Sequence, residues 1–240
     1  MQPPCDEPAP TRRKTLGIIG GIGPESTIDY YRQVVTALRD RDDASSVVIN
    51  SIDLHRMLAM VAAGDLAALT QYLLEELQVL ARAGATLGLL AANTPHIVFD
   101  ELSGRSPIPL VGIVGATCDV VRAMRLHKVG LIGTRFTMQG SFYSSAFARE
   151  GIALVAPSPD DQDFIHEKYM TELVRGRFLP ATRDGLLAIV DRMRKNDAIQ
   201  GLILAGTELP LILGEESYGG IPVFNTTRIH VQAAVARLML

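Results

Sequence analysis

The sequence predicts an α/β protein built from two pseudo-symmetric, Rossmann-like three-layer domains, with mainly parallel sheets and a site at the domain interface. Short apolar runs alternate with amphipathic stretches of helical period, a pattern typical of parallel strands joined by covering helices. The runs also repeat at a single spacing, which indicates an internal duplication. Three pairs of corresponding strand residues lie 113 positions apart, namely Gly17 and Gly130, Gly88 and Gly201, and Ile108 and Ile221.

The domain boundaries follow from this repeat. Residues 1–13 are polar and rich in proline, so we expect a disordered tail there. The first domain is predicted to comprise residues 14–111 together with residues 222–240. The second domain is predicted to comprise residues 112–221, which gives two units of ordinary domain size.

In the first half, the apolar run 14–20 predicts a strand that enters a glycine-rich turn. Pro24 suits the first turn of the helix that follows, which is predicted over residues 28–40. A second strand at 46–50 is followed by a polar loop at 51–56. Periodicity predicts the remaining elements of this half. They are helices at 65–83 and 117–125 and strands within 86–96 and at 108–113.

The second half repeats the alternation of the first. Its helices are predicted from amphipathic spacing and its strands from short apolar runs. The strands are expected at 127–133, 151–157, within 200–210 and at 221–224, and the helices at 160–175 and 180–196.

Two stretches, 86–96 and 200–210, share one pattern, a short apolar run that stops at small and polar residues. Each indicates a buried parallel strand whose carboxyl end delivers polar side chains into a crevice, where ligands bind in open α/β sheets. Because the two stretches are duplicates, we expect their ends to face one another across a single cleft. The loops there are rich in Thr, Ser and Asn, which favours a small polar carboxylate over an apolar ligand.

Composition and charge argue against several kinds of partner. The net charge is −3 and the Lys and Arg residues are scattered, which argues against nucleic acid. No apolar run reaches the roughly 18 residues of a membrane span, and no hydrophobic segment resembling a secretory signal precedes the first strand. Cys5 and Cys118 do not make a disulfide framework, so a reducing cytoplasm is the expected location. No side chains have metal-ligand spacing, and no metal is predicted.

Four side chains are candidates for chemistry or charge recognition. Arg56 could clamp a carboxylate with its planar guanidinium, or it could be a solvated surface residue. Lys168 falls on the apolar face of its helix, where burial would lower its pKa, unless the side chain reaches back to solvent. His96 is either a structural residue at a helix start or a catalytic one. Glu208 is a candidate acid or base at a strand end.

Five motifs, in order along the chain, resemble those of the aspartate/glutamate racemase family. The resemblance implies two pseudo-symmetric α/β domains, independence of pyridoxal phosphate and other cofactors, and often a homodimer. Members of that family use two cysteines, one per domain, to remove and return the α-proton of a dicarboxylic amino acid from opposite faces. The motifs here are Gly20–Tyr31, Asn93–His96, Gly133–Met138, Thr207–Glu208 and Thr226–His230.

The chain departs from that family pattern at both thiols. The first cysteine should stand directly before Asn93 or one residue further back, where this chain has Ala92 and Ala91. The second should stand where this chain has Gly206. Neither Ala nor Gly has a proton to exchange, so the two-thiol mechanism cannot run with these residues. Asn225 also replaces the aspartate that usually begins the last motif.

The substrate-binding part of the pattern is better kept. The resemblance implies that a set of threonines and one asparagine hold substrate carboxylates beside Ala92 and Gly206, and that Arg56 assists them. The set consists of Asn93, Thr94, Thr134, Thr137 and Thr207.

Three functions remain open from the sequence. The first is a lyase, decarboxylase or hydrolase acting on a small carboxylic acid, which needs a single acid or base such as Lys168, Glu208 or His96. The second is an aspartate or glutamate racemase that uses bases other than cysteine. The third is a non-catalytic protein that retains a small acid as ligand.

Overall fold

The computed structural model describes residues 14–21, 23–41 and 45–240, so the tail predicted at 1–13 lies outside the described residues. The first half comprises β1 (Thr15–Gly20), α1 (Pro24–Arg39), β2 (Ser46–Ser51), α2 (Leu54–Ala62), α3 (Leu66–Arg82), β3 (Leu87–Leu90), a 3₁₀ turn (Thr94–Val98), α4 (Phe99–Arg105), β4 (Leu110–Val111) and α5 (Ile113–Ala123).

The second half repeats that order with an extra short helix after its first strand and an extra short strand near its end. It comprises β5 (Lys128–Gly133), α6 (Arg135–Gln139), α7 (Ser141–Arg149), β6 (Ala153–Val155), α8 (Pro159–Thr171), a 3₁₀ turn (Leu173–Arg175), α9 (Pro180–Asp197), β7 (Leu202–Ala205), α10 (Leu209–Ile212), β8 (Ser217–Tyr218), β9 (Ile221–Asn225) and α11 (Thr226–Leu238).

The strands form two sheets of the same design. The first sheet has the order β2-β1-β3-β4, and every described neighbour pair in it is parallel. The second has the order β6-β5-β7-β9-β8, and only the pair β8–β9 is antiparallel. Helices cover both faces of each sheet, so the predicted α/β fold with mainly parallel sheets is confirmed. Its parallel strands bring the carboxyl ends of β1 and β3, and of β5 and β7, to one edge of each sheet.

The last helix of each half packs on the sheet of the other half. In α5, Ile113 and Cys118 belong to the apolar cluster around Ile203 of β7. In α11, Val231 belongs to the cluster around Leu89 of β3. The two halves are therefore joined by exchanged helices as well as by the chain between them.

The sheet pairing corrects one domain boundary. Residues 222–240 were assigned to the first domain, but β9 pairs in parallel with β7 of the second sheet, with Val223 beside Leu202 and Phe224 beside Ile203. Only α11, which follows β9, packs on the first half.

The prediction of a polar loop at residues 51–56 is wrong, because helix α2 begins at Leu54 within that range. The Asp53 carboxylate accepts hydrogen bonds from the backbone N–H groups of His55 at 2.8 Å and Arg56 at 3.1 Å. Such an N-cap satisfies donors that the first helical turn cannot pair internally. Helix α2 therefore starts at Leu54.

Two predicted helix ends also differ. The helix predicted over 28–40 already begins at Pro24, a residue that suits the first helical position. The helix predicted over 160–175 ends at Thr171. The 3₁₀ turn that follows stops at Gly176, whose φ of 68° favours glycine.

Candidate functional site

A small cavity lies between the two halves, at the carboxyl ends of β3 and β7. Its volume is about 30 Å³, which is space for about two water molecules. Its walls come from Ala92–Thr94 after β3 and from Gly206–Glu208 after β7. The two strand ends that the sequence pairs therefore line one hollow. We call the segment Ala92–Thr94 the first wall and the segment Gly206–Glu208 the second wall.

Asn93 ties the first wall to the second half of the chain. Its Oδ1 accepts a hydrogen bond of 2.5 Å from the Tyr143 hydroxyl on α7. Its Nδ2 donates to the Thr226 hydroxyl at the start of α11, at 3.4 Å. Asn93 is buried, so these bonds fix the amide. Asn93 also lines the cavity.

A row of threonine hydroxyls runs across the junction of the halves. The Thr94 and Thr134 oxygens are 3.3 Å apart, and the Thr134 and Thr137 oxygens are 3.2 Å apart. Thr94 and Thr134 line the cavity, whereas Thr137 is completely buried behind them. Hydroxyls can donate or accept by rotation, so this row can adjust to an acid's oxygens.

The second wall carries the carboxyl group of Glu208, which is 3% exposed. The Thr207 hydroxyl donates to Glu208 Oε2 at 3.0 Å, and the Tyr169 phenol donates to the same oxygen through a short hydrogen bond. Burial is the largest influence on the pKa of Glu208 and raises it above its usual value, against the lowering by these two donors. Among the described residues that line the cavity, Glu208 is the one with a carboxyl group, and none is Lys, Arg or His.

Tyr169 fills the space beside Gly206. A Cβ placed on Gly206 would lie 2.5 Å from Cε2 of the Tyr169 ring and 2.9 Å from its hydroxyl oxygen. Contacts that short require the ring to move, so position 206 must be glycine while Tyr169 keeps its place. Sequence reasoning missed Tyr169. The available signal was its i+4 spacing from Ile165 on one face of α8, and both residues are buried there.

The remaining lining of the cavity is apolar. Leu54, Met57 and Leu58 of α2 cover it from the first half, and Met170 and Val174 cover it from the second half. The polar residues of this site are predicted from the sequence, whereas its apolar lining is not. A ligand at this place would meet hydroxyls and a carboxyl group on the floor and aliphatic side chains on the cover.

A sequence model of the Asp/Glu/Hydantoin racemase family matches residues 19–234. The chain belongs to that family. Among solved structures, a candidate Asp/Glu racemase from Yersinia pestis is 29% identical, with a TM-score of 0.82 over 95% of this chain and 100% of that chain. An aspartate racemase homologue from Pyrococcus horikoshii OT3 is 28% identical, with a TM-score of 0.78 over 95% and 100% of the two chains.

A curated relative is also similar over a shorter span. It is an uncharacterized protein of the pnlA 3′ region of Pectobacterium carotovorum subsp. carotovorum, 26% identical over 121 residues. The match covers 49% of this chain and 77% of the relative.

In this racemase-family protein, most residues proposed from the sequence do meet at one place. They share burial and a position on the floor of the cavity. The set consists of Ala92, Asn93, Thr94, Thr134, Gly206, Thr207 and Glu208.

Arg56 is not among them. It is exposed, and its guanidinium carbon lies 4.3 Å from the centroid of the Tyr72 ring, a cation–π contact on the outside of α2. The Asp53 cap starts α2 before Arg56, and Arg56 is not among the residues that line the cavity. The carboxylate clamp predicted for Arg56 is thus corrected to a surface contact.

Lys168 also lies outside the cavity. Its Nζ is 3.1 Å from Glu172 Oε1 and 3.5 Å from Glu167 Oε1, at a partly exposed position. The hydrogen bond to Glu172 raises the pKa of Lys168, so the structure favours the alternative in which the side chain reaches back to solvent. A protonated, ion-paired Lys is not placed to act as a base on a ligand in the cavity.

His96 is a structural residue. Its Nδ1–H donates to the Ala92 carbonyl at 2.9 Å, and its Nε2 accepts the backbone N–H of Ile113 at 3.1 Å. Burial lowers the pKa of His96 to about 3, so the ring is neutral and both nitrogens are occupied. The ring fixes the first wall to the start of α5, and a catalytic role for His96 is not supported by this geometry.

Two further motif residues form a buried pair behind the first wall. The Tyr30 hydroxyl donates to Nδ1 of His230 at 2.9 Å, and Nε2–H of His230 donates to the Val111 carbonyl at 2.8 Å. Burial lowers the pKa of His230 to about 4. Asn225, in the last motif, caps α11 by accepting the backbone N–H of Arg228 at 3.0 Å. Tyr30, His230 and Asn225 therefore have structural roles.

Neither cysteine lines the cavity among the described residues. Cys118 is buried in the apolar cluster of α5, and Cys5 lies outside the described residues. Within residues 14–21, 23–41 and 45–240, no group of three or more His, Cys, Asp and Glu side chains is arranged to hold a metal ion. No helix in the described part of the chain is both long enough and apolar enough to cross a membrane.

Proposed function

We propose that this member of the Asp/Glu/Hydantoin racemase family binds a small carboxylic or amino acid between its halves and moves a proton at one face of that acid, as a lyase or decarboxylase does. The observation that carries the proposal is the asymmetry of the two walls. The second wall offers a buried carboxyl group, Glu208, whereas the first wall offers Ala92, Asn93 and Thr94, which do not titrate.

Two-thiol racemisation needs a proton-exchanging group at both faces of the α-carbon. Where the family resemblance places thiols, this chain has Ala91, Ala92 and Gly206. Cys118 packs in the core and cannot replace them. A racemase with other bases would also need a base on the first wall, which supports one-sided chemistry instead.

Glu208 suits the role of acid and base. Burial raises its pKa, which brings the carboxyl group closer to the range where it can both give and take a proton. In a decarboxylation, the bond to the departing carboxylate breaks, CO₂ leaves, and the electron pair stays on the α-carbon. That carbon then takes a proton from the second wall, which is reprotonated from solvent.

The floor of the cavity supports a carboxylate ligand without a cation. Thr94, Thr134 and Thr207 offer hydroxyls, and Asn93 offers a side-chain amide. The cavity is smaller than such an acid, so the apolar cover from α2 and α8 has to move apart when a ligand enters. Once the cover closes, it would exclude water from the reacting carbon.

Hydrogen–deuterium exchange tests the proposal. The protein is incubated in heavy water with each enantiomer of aspartate, glutamate and alanine; NMR follows the α-proton and chiral chromatography follows the configuration. We expect exchange with retained configuration. Glu208→Gln should slow the exchange about 100-fold or more, since general acid–base groups contribute on that scale. Glu215→Gln, which alters an exposed carboxylate on the same half, is the matched control.

Two other outcomes would contradict the proposal. Exchange accompanied by inversion would support a racemase with a second base. A thermal shift with these acids, but neither exchange of the α-proton nor consumption of the acid, would support a non-catalytic binding protein. The homodimer, the cytoplasmic location and the independence of cofactors stay predictions from the sequence.

A further inference from the structure

We propose that Tyr169 is the catalytic residue that exchanges the proton with the ligand, and that its phenol occupies the space of a second-wall thiol. Glu208 then acts behind it as the relay and positioning group. This inference rests on the proposed function, because it names the atom that meets the reacting carbon.

A side chain at position 206 and the ring of Tyr169 would compete for the same space. A Cβ on Gly206 would lie 2.5 Å, 3.0 Å and 2.9 Å from Cε2, Cζ and the hydroxyl oxygen of Tyr169. A cysteine sulfur is attached to that Cβ, so a thiol at 206 would require the Tyr169 ring to leave its present place. The missing side chain at 206 and the tyrosine on α8 are parts of one arrangement.

The carboxyl group of Glu208 is hydrogen-bonded to Tyr169 within the protein. Oε2 already accepts hydrogen bonds from the Tyr169 phenol and the Thr207 hydroxyl. Oε1 lies against the backbone turn at Gly23, where a Cβ would overlap it. Oε2 is therefore engaged within the protein, and Oε1 lies beside Gly23. Tyr169 lines the cavity, and its hydroxyl stands in the space beside Gly206.

In this proposal the proton passes from the ligand through the Tyr169 phenol to Glu208. When the ligand's C–H bond breaks, its electron pair stays on carbon and the proton goes to the phenol oxygen. The phenol passes its own proton to Glu208 Oε2, so Tyr169 ends neutral and Glu208 ends protonated. In the return direction Glu208 reprotonates the phenol oxygen as the phenol proton forms the new C–H bond. Exchange of the Glu208 proton with solvent introduces deuterium in heavy water.

Removal of the hydroxyl alone is the first test. Tyr169→Phe keeps the ring against Gly206, and the acid that the unmodified protein exchanges fastest is used as the probe. We expect the exchange rate to fall about 100-fold or more with an unchanged KM, because a chemical step is lost rather than a binding contact. Tyr218→Phe, which loses one hydroxyl contact to the backbone N–H of Glu215 elsewhere in the second half, should keep the full rate.

A matched pair of double variants separates catalysis from packing. In Tyr169→Ala/Gly206→Cys a thiol takes the vacated space, and in Tyr169→Ala/Gly206→Ala a methyl group does. We expect the thiol variant to exchange at least ten times faster than the methyl variant, still with retained configuration. Equal rates in the pair, or a Tyr169→Phe variant within about twofold of the unmodified rate, would overturn the role of Tyr169 and leave the proposed function standing. An unmodified protein that exchanges no acid would overturn both.

Discussion

The first and second walls occupy corresponding ends of β3 and β7, and yet they are held and equipped differently. The first wall is fixed by His96, whose neutral ring bridges the Ala92 carbonyl and the N–H of Ile113. The second wall has the apolar Leu209 after Glu208, and its Glu208 carboxyl group accepts hydrogen bonds from Tyr169 and Thr207. Duplication has reproduced the frame of the cleft, while the side chains of each wall set its chemistry separately.

The largest expected effect is a gain of function when the walls are made alike. Ala92→Cys/Gly206→Cys/Tyr169→Ala places a thiol on each wall and clears the space that the phenol fills. We expect this triple variant to racemise aspartate detectably, as followed by the optical rotation of the L-enantiomer. The double variant that retains Tyr169 should stay inactive, because its second thiol has no room. Equal activity in the two variants would contradict this comparison.

The next largest effect is expected on the free energy of unfolding at acidic pH. Burial lowers the pKa of His96 from 6.5 to about 3 and that of His230 from 6.5 to about 4. Below about pH 6.5, these two side chains are therefore protonated in the unfolded chain and still neutral in the folded protein. Stability should therefore fall as the pH drops from about 6.5 to 4, by on the order of 3 kcal/mol for each ring. Glu208 works in the opposite direction, because its raised pKa favours the folded state at low pH.

Urea unfolding at several pH values measures this loss. His96→Gln should flatten the pH dependence and should also lower the stability near pH 7, where the bridge at the first wall is lost. His127→Gln, at an exposed position, should leave the slope unchanged. A slope that survives in His96→Gln would show that the acid sensitivity arises elsewhere.

A smaller effect is expected from a single methyl group on the second wall. Gly206→Ala should cost about 2 kcal/mol of unfolding free energy, since its Cβ overlaps the Tyr169 ring. The same change in a Tyr169→Ala background should cost little. Gly115→Ala, inside α5 with open space around its Cβ, should be neutral or stabilising. Additive costs in the two backgrounds, measured by chemical denaturation, would contradict the overlap.

The smallest effect should come from Arg56. Arg56→Ala removes a contact with the Tyr72 ring at the surface, which is worth at most about 1 kcal/mol. Because the side chain lies outside the cavity, the affinity for any acid that shifts the melting temperature should not change. Calorimetric titration checks this, and a tenfold loss of affinity would return Arg56 to the site.

The sequence predicted the fold and the floor of the cavity because both depend on local patterns. The repeat of strands and the polar residues after β3 and β7 are visible in the chain. It could not predict that Tyr169 reaches Gly206, since the two are 37 positions apart and meet only through the packing of α8. Arg56 was misplaced for a local reason, because the Asp53 cap turns a polar loop into a helix.

The exchange of α5 and α11 between the halves has a consequence for how the molecule can move and be divided. Each sheet would expose a large apolar surface to solvent if the other half were deleted. Neither half is therefore expected to fold when expressed alone. The same interlocking opposes a wide swing of one half away from the other. A ligand would therefore enter the cavity by local movement of the aliphatic side chains that cover it, while the two halves keep their relative positions.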